Sequence, residues 1–324
     1  MKVRKHLTNA AKFLVAGALI VWLILSGRLD FNLLLKLLTP YYIVCGFLIV
    51  FVSLASNNYR WLALLQGQGF KTDFGSTFRL TFIGMFFNIA MPGGVGGDLV
   101  KAYYVIKDHG ERKMAAATSV LLDRLIGLFS MTCIGIVALA ANFEFIRTRK
   151  ELMLLAGSTT ALFLAFVFLF GTAFSRRVKR VILKVLRHVP AGGFLARFYD
   201  VLASYRAQPS ALARAMAASL MTQILTVSFF WLIGGALEAR PISWDSYAFV
   251  VPLGLIAMAA PIAPAGIGVG QAAFFVLFNW YLGFESQLGP AAVTAYQIVS
   301  ISWGLLGAYF YFRRKDSVPA EISA

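Results

Sequence analysis

Charged residues are scarce in this chain of 324 residues, and acidic ones most of all. Only 14% of the residues are charged and 59% are hydrophobic, whereas a soluble domain is about one quarter charged and about half apolar. This composition excludes an ordinary soluble domain. Together with a mean hydropathy of +0.75, it predicts an all-α polytopic membrane protein in which residues 1–324 form a single membrane domain.

Acidic side chains number 14 against 30 lysines and arginines, which gives a net charge of +16. In a soluble protein this excess would indicate nucleic acid as the partner. Here the basic residues lie between apolar segments, which favours the cytoplasmic membrane face. We therefore expect anionic lipid head groups as partners at that face, and no nucleic acid.

The chain also has few residues that hold metals or carry out common enzyme chemistry. Cys45 and Cys133 lie in apolar segments and the three histidines are scattered, so we expect no disulfide, metal site or cofactor. A zinc-protease motif, a serine elbow and a complete phosphate-binding loop are all lacking. No small-residue cleavage site follows the apolar segment 10–26, so we interpret it as a retained first span and not a signal peptide.

Apolar segments predict the membrane topology. They are residues 10–26, 40–56, 74–91, 114–141, 151–172, 213–237, 247–262, 266–282 and 290–312. A helix needs about 20 residues to cross the hydrocarbon core. Lysine and arginine are concentrated at both termini and in residues 175–214, so we predict that all three regions are cytoplasmic.

These cytoplasmic positions require two parts of the chain to leave one membrane face and return to it. The parts are 74–91 with 98–113, and 247–262 with 266–282. We predict about six full transmembrane helices and two re-entrant helical hairpins that enter from opposite faces, as in an inverted repeat. The alternative, in which each hairpin is a pair of ordinary spans, has the same parity and stays open.

Glycine and proline interrupt both predicted hairpins. Residues 88–101 read NIAMPGGVGGDLVK, and residues 261–271 read PIAPAGIGVGQ. Aligning Pro92 with Pro264 also aligns two glycines of each run. Non-helical backbone in a membrane must be packed in protein or face water, and paired interruptions in two halves of a membrane protein are typical of a transporter site.

Residues 175–212 form a basic segment with many large apolar side chains, interrupted around Pro190 and Gly192. This pattern predicts two amphipathic helices on the cytoplasmic surface. A solvated basic connector is the alternative interpretation.

Three motifs together resemble the lysylphosphatidylglycerol synthase transmembrane-region family of flippase-like membrane proteins. They are the first glycine-rich run through Asp98 and Lys101, the sequence LDRLIGL at 122–128, and the spaced glycines after Pro264. The resemblance covers nearly the whole chain and implies the membrane portion alone, in the cell (inner) membrane. It implies the transport or handling of lipids, including aminoacylated phospholipids and lipid-linked sugars. Gln271 stands where this family usually has glutamate.

The interruptions and the charges near them are the candidate substrate-binding residues, and no catalytic residue is predicted. The candidates are Asn88, Gly94, Gly96, Asp98, Lys101, Asp123, Arg124, Gly266, Gly268 and Gln271. Asp98 and Lys101 are three residues apart and share a helix face. They either line a polar cavity that meets a lipid head group or, in the case of Asp98, cap a helix N-terminus.

Asp123 and Arg124 lie within the segment 114–141, where ionisable residues are costly and are functional candidates. In one interpretation each finds a partner in the first hairpin, for instance Arg124 with Asp98. In the other, the helix starts late and both residues lie at the cytoplasmic interface, with Arg124 reaching water.

Other polar residues near the hairpins have structural or functional interpretations. Arg60 and Trp61 are interpreted as an interfacial anchor. Arg79 is either a phosphate ligand near the cytoplasmic mouth or a residue that extends to water. Asn88 and Gln271 either satisfy broken backbone or touch substrate, and the structural role is favoured.

Two classes of function fit this pattern. The first is a lipid transporter that moves a head group through a cavity between the hairpins, either downhill or coupled to protons through Asp98 or Asp123. The second is a membrane transferase that acts on a phospholipid or a polyprenyl-linked lipid, with the same two acids as its candidates. A channel is disfavoured because no span carries an extended row of polar residues.

Overall fold

The computed structural model describes residues 35–90, 96–109, 113–174, 192–237, 242–260 and 263–314. Within these ranges the chain forms eleven α-helices and no strand, so the predicted all-α fold is confirmed. The helices are α1 Pro40–Gly67, α2 Phe74–Ala90, α3 Gly96–His109, α4 Lys113–Ala141, α5 Phe143–Ile146, α6 Lys150–Phe174, α7 Gly192–Ser204, α8 Pro209–Leu237, α9 Trp244–Met258, α10 Val269–Leu282 and α11 Leu288–Arg313.

Five helices are long and apolar enough to cross a membrane, namely α1, α4, α6, α8 and α11. They coincide with five of the six full spans that the sequence predicts. The remaining predicted span, 10–26, lies outside the described residues. Helix α1 extends to Gly67, well beyond the predicted end of its segment at residue 56.

Four shorter helices form two hairpins. The first hairpin consists of α2 and α3, with 17 and 14 residues, and the second of α9 and α10, with 15 and 14 residues. A full span needs about 20 residues, and all four helices are shorter than this. Ala265, Gly266 and Gly268 in the second interruption have φ angles of 49°, 68° and 82°. This left-handed backbone separates α9, which ends at Met258, from α10, which begins at Val269. Residues 91–95 of the first interruption lie outside the described ranges.

The two hairpins enter the bundle from opposite ends. At one end, here called the Arg314 end, Arg314 after α11 donates to both carboxylate oxygens of Asp108 in α3, at 2.6 and 2.8 Å. At the other end, the Asn142 end, the Tyr281 hydroxyl of α10 donates to Asn142 at 3.4 Å and shares a hydrogen bond with Ser246 of α9 at 2.6 Å. The relation of either hairpin to a membrane stays a prediction.

Antiparallel packing of α1 against α8 forms the centre of the bundle. Small hydroxyl side chains join the two helices: Ser53 and Thr226 share a hydrogen bond of 3.3 Å, and Ser56 donates to the carbonyl of Ala218 at 2.8 Å. Small residues and interhelical hydrogen bonds are what holds helices together in lipid, where apolar burial gives little preference for helix over lipid contact.

Helix α7 covers part of the Arg314 end. Tyr199 and Leu202 are buried and pack with Leu64 of α1 and Leu122 of α4. The Tyr205 hydroxyl, just after α7, donates to the carbonyl of Leu64 at 2.8 Å. The predicted amphipathic segment is therefore helical in its second half, while residues 175–191 lie outside the described ranges.

Helix α11 lies very close to α2 at Gly307. A Cβ atom at this position would lie 2.0 Å from the backbone oxygen of Phe82, a distance that forces the two helices apart. We expect Gly307→Ala to lower the free energy of unfolding by about 1–3 kcal/mol through this overpacking. Thermal unfolding of the purified protein in detergent measures the change.

Gly157→Ala is the matched control, because nothing lies within 4 Å of a Cβ atom at Gly157 in α6. Alanine is favoured over glycine in a helix by about 1 kcal/mol, so this variant should unfold at the same or a higher temperature. Equal stability losses in both variants would contradict the close approach at Gly307.

Candidate functional site

A buried ion pair joins α1 to α4. Arg60 donates to Asp123 through Nε at 2.6 Å and through Nη2 at 3.0 Å, and the side chains are only 6% and 10% exposed. The remaining donor group of Arg60, Nη1, reaches the hydroxyl of Ser219 in α8 at 3.1 Å. Two-point contact between a guanidinium and a carboxylate fixes the angle as well as the distance, so this contact sets the position of α4 against α1.

This geometry corrects two interpretations of the sequence. Arg60 and Trp61 were expected at the membrane interface, but α1 continues past them to Gly67 and both are buried. A late start of the helix around Asp123 is also wrong, because α4 begins at Lys113.

Trp61 connects the ion pair to the first hairpin. Its indole is fully buried and donates to the hydroxyl of Ser119 in α4 at 3.3 Å. The ammonium of Lys101 in α3 lies 4.9 Å from the ring centroid, a distance at which a cation is attracted to the ring face. Lys101 thus lies beside the buried aromatic and basic residues of α1.

A second ion pair joins the first hairpin to α4. Arg124 donates through Nε to the carboxylate of Asp98, which lies in the first turn of α3. This is the partner that the sequence suggested for Arg124. The side chains are 37% and 19% exposed, so this pair is more open than the pair of Arg60 and Asp123.

Asn88 holds the start of α3. Its side-chain oxygen accepts a hydrogen bond of 2.8 Å from the backbone N–H of Gly97, one of the donors that a helix N-terminus leaves unpaired. Gly97 itself is tightly packed, because a Cβ there would lie 2.0 Å from the backbone oxygen of Gly84 in α2. Gly96 is buried at the same helix start, and Gly94 lies outside the described residues.

Gln271 has the corresponding role in the second hairpin. Its side-chain oxygen accepts from the N–H of Gly268 at 2.8 Å, and its amide donates to Gln297 at 2.6 Å and to Thr294 at 3.1 Å. Gln297 in turn donates to the carbonyl of Ala265 at 3.3 Å. An uncharged glutamine suits this position, because the position needs both an acceptor and a donor.

A central cavity of about 630 Å³ lies between the two hairpins and the long helices. Its polar wall comprises Asn57, Arg60, Asn88, Arg124, Thr222, Gln223 and Thr226. Its apolar wall includes Leu255, Ile256 and Met258 at the end of α9, Ala259 and Ala260 just after it, and Tyr296 of α11. Sites for small ligands typically have volumes of about 300–1,000 Å³, and the volume of this cavity lies within that range.

Some of the predicted site residues line the cavity, and others do not. Asn88 and Arg124 line it, and Asp98 and Asp123 reach it through their arginine partners. Gly266, Gly268 and Gln271 support the second interruption and are not part of the lining. Asn57, Arg60 and Gln223 were missed as site residues. Asn57 and Arg60 are three residues apart in a largely apolar helix that also contains Asn58. This spacing puts Asn57 and Arg60 on one face and was the available signal.

One comparison with known families finds a match. The family model described as Lysylphosphatidylglycerol synthase TM region matches residues 9–307. The chain belongs to this family. Membership supports a multi-pass membrane protein with a lipid-related function. No curated protein and no solved structure matches the chain.

Removing one partner of the buried ion pair should destabilise the protein strongly. Asp123→Asn leaves the Arg60 guanidinium buried without its counter-charge, and breaking such a pair costs about 3–5 kcal/mol. Asp98→Asn breaks the more exposed pair and should cost less. Thermal unfolding in detergent, with both variants beside the wild type, measures the difference.

A double variant separates charge from packing. Arg60→Met with Asp123→Leu removes both charges, and apolar replacement of a whole buried pair is often neutral. It should therefore be more stable than Asp123→Asn alone. If Asp123→Asn unfolds at the wild-type temperature, the pair contributes nothing to stability and this assignment is wrong.

Proposed function

We propose that this protein is a lipid transporter that passes a polar head group through the central cavity while the acyl chains stay in the surrounding lipid. The observation that carries the proposal is a single polar cavity lined by the ends of both hairpins. Asn88 lies near the end of α2 and Met258 at the end of α9, and both contribute to its wall. A route through the bilayer needs polar groups at mid-depth, and this wall would supply them.

The shared cavity supports re-entrant hairpins over pairs of ordinary spans. Ordinary spans would put the end of α2 and the end of α9 at opposite membrane faces, about 30 Å apart. Here both ends line one cavity, and α2 contacts Pro264–Gly266 of the second interruption. The basic termini favour a cytoplasmic location for the Arg314 end, with the Asn142 end outside.

The wall chemistry favours a phosphate-bearing head group. Arg60, Arg124 and the nearby Lys101 outnumber the acids Asp98 and Asp123, so this cluster has a net positive charge. Arginine recognises phosphate through paired N–H donors. The amides of the wall offer both donors and acceptors, which suits an aminoacyl or sugar part of a larger head group.

Group transfer is the less favoured function. A transferase would use Asp98 or Asp123 as its base or nucleophile, but each is engaged by an arginine. Both oxygens of Asp123 accept hydrogen bonds from Arg60, so neither is free to act on a substrate. The arginine contacts also occupy the two acids that proton coupling would use, so we propose that the lipid moves downhill.

A bulky residue at the cavity wall should block transport without unfolding the protein. Ala259 lines the cavity and is exposed, so Ala259→Phe can fill the route without overpacking the core. We expect lipid movement in reconstituted vesicles to slow by roughly tenfold or more, which corresponds to about 1.4 kcal/mol in the barrier. The readout is the access of an external quencher to lipids with labelled head groups.

Ala165→Phe is the matched control, because Ala165 is exposed on α6 and lies outside the cavity lining. It should transport at the wild-type rate. The assay needs an anionic phospholipid, an aminoacylated phospholipid and a polyprenyl-linked lipid. If the wild type moves none of them, the transport proposal fails; product formed from a lipid and an activated donor would support transfer in its place.

Cysteine labelling distinguishes the two models of the hairpins. With the free Cys45 and Cys133 replaced, single cysteines at Asn88 and Ala260 report on the two hairpin ends that share the cavity. Re-entrant hairpins predict that both cysteines react with membrane-impermeant reagents from the same side or sides. Labelling of Asn88→Cys from outside only, and of Ala260→Cys from the cytoplasm only, would establish ordinary spans.

A further inference from the structure

A second cavity lies at the Arg314 end, apart from the central one. It has a volume of about 640 Å³, lies between α2, α3 and α11, and shares no lining residue with the central cavity. We name it the Arg79 groove. Its polar lining residues are Thr72, Ser76, Arg79, Asp108, Arg313 and Arg314.

Positive charge dominates the Arg79 groove. Three arginines line it against one acid, Asp108, which is bound by Arg314 at 2.6 and 2.8 Å. Arg79 and Arg313 are exposed, and Arg79 forms no ion pair or hydrogen bond with another described residue. The groove therefore presents two guanidinium groups beyond the one that Asp108 compensates.

Aromatic rings restrain two of the three arginines that line the groove. Arg314 lies over the ring of Tyr104 at 4.1 Å, and Arg313 lies over the ring of Tyr309 at 5.0 Å. Stacking of this kind restrains the planar guanidinium while its N–H donors stay directed outward at the edge. Arg313, one of the two arginines that Asp108 does not compensate, is therefore restrained by a ring, which suits a ligand better than an unrestrained surface charge.

The rim of the groove contains one further acid. Ser76 donates to Asp73 through its hydroxyl at 2.6 Å and through its backbone N–H at 3.0 Å. These hydrogen bonds hold the pKa of Asp73 below its usual value, so its carboxylate is ionised at neutral pH. Its charge is directed to the start of α2, where it caps the helix, and it reduces the positive charge of the groove only at the rim.

The inner wall of the groove is apolar. Leu80, Ile83 and Val105 line it and are buried, and Phe310 adds an aromatic face. Arginines at the mouth and apolar side chains within are the pattern that an amphiphilic anion satisfies, because its charge and its hydrocarbon part each find a matching surface.

We propose that the Arg79 groove is a second binding site, which takes the phosphate of an anionic phospholipid between Arg79 and Arg313 with the glycerol and first acyl carbons against the apolar wall. This site is independent of transport through the central cavity. A soluble phosphate compound offers the same anion without the hydrocarbon part, so the experiment must compare the two sources.

Native mass spectrometry of the full chain in a neutral detergent tests the site. The probes are phosphatidylglycerol, phosphatidylcholine and glycerol phosphate, each titrated separately and the last also as a competitor. The test variant is Arg79→Gln with Arg313→Gln. The matched control is Arg206→Gln with Arg214→Gln, which removes the same charge from exposed positions near the same end of the bundle.

The expected result is specific to the groove. Phosphatidylglycerol should bind the test variant roughly tenfold more weakly than the wild type, as expected for two lost charge-assisted hydrogen bonds at a partly solvated site. The control variant should match the wild type, and lysine at both groove positions should restore part of the affinity. Phosphatidylcholine should bind more weakly than phosphatidylglycerol in the wild type and respond little to either variant.

Three outcomes would overturn the proposal. Equal losses in the test and control variants would show diffuse attraction to a basic surface. Unchanged affinity in the test variant would show that the lipid binds elsewhere. Glycerol phosphate that binds as tightly as the phospholipid and displaces it would make a soluble phosphate compound the ligand. Thermal unfolding of each variant confirms that the folded protein is compared throughout.

Discussion

Backbone that leaves a helix in the interior of a protein needs hydrogen-bond partners, and this constraint explains the construction of both hairpins. Asn88 accepts from the N–H of Gly97, and Gln271 accepts from the N–H of Gly268. Each amide side chain thus satisfies a donor at the buried start of a short helix, where the first N–H groups have no partner within the helix itself. Gln297 donates a hydrogen bond to the carbonyl of Ala265 and so satisfies a backbone acceptor in the second interruption. The polar residues of the interruptions are therefore structural first, and Asn88 alone among these amides also lines the cavity.

Two ion pairs then fix where the first hairpin and the long helices lie relative to one another. Arg60 and Asp123 connect α1 with α4, and Ser219 extends the contact to α8. The neighbouring residue Arg124 connects α4 with the start of α3. Because residues 123 and 124 point in different directions on one helix, α4 can bind the bundle centre with one and the hairpin with the other. The arginines of both ion pairs, Arg60 and Arg124, also form part of the polar wall of the cavity.

Much of the fold could be predicted from hydropathy and from the positions of lysine and arginine. Five of the predicted spans and the helix breaks between the arms of each hairpin follow from local patterns. The pairing of Arg124 with Asp98 was one of two interpretations that the sequence left open. The burial of Arg60 could not be predicted in the same way, because Asn57 and Arg60 lower the hydropathy of α1 and make the span seem to end before them. Its partner Asp123 is 63 residues away in the chain, and only tertiary packing brings the two together. Gln223 likewise reaches the cavity wall only through tertiary packing.

The opposed directions of the hairpins have an electrostatic consequence. In each hairpin the returning helix, α3 or α10, begins in the interior of the bundle near the cavity and runs outward. A helix N-terminus has a partial positive charge of about half an elementary charge from its aligned peptide dipoles. Two such termini therefore lie deep in the protein, where a charged side chain would be costly to bury. Asp98 lies in the first turn of α3 and offsets this charge there, whereas the first turn of α10 contains no acidic residue. The N-terminus of α10 therefore keeps its partial positive charge, and the two hairpins differ electrostatically at corresponding positions.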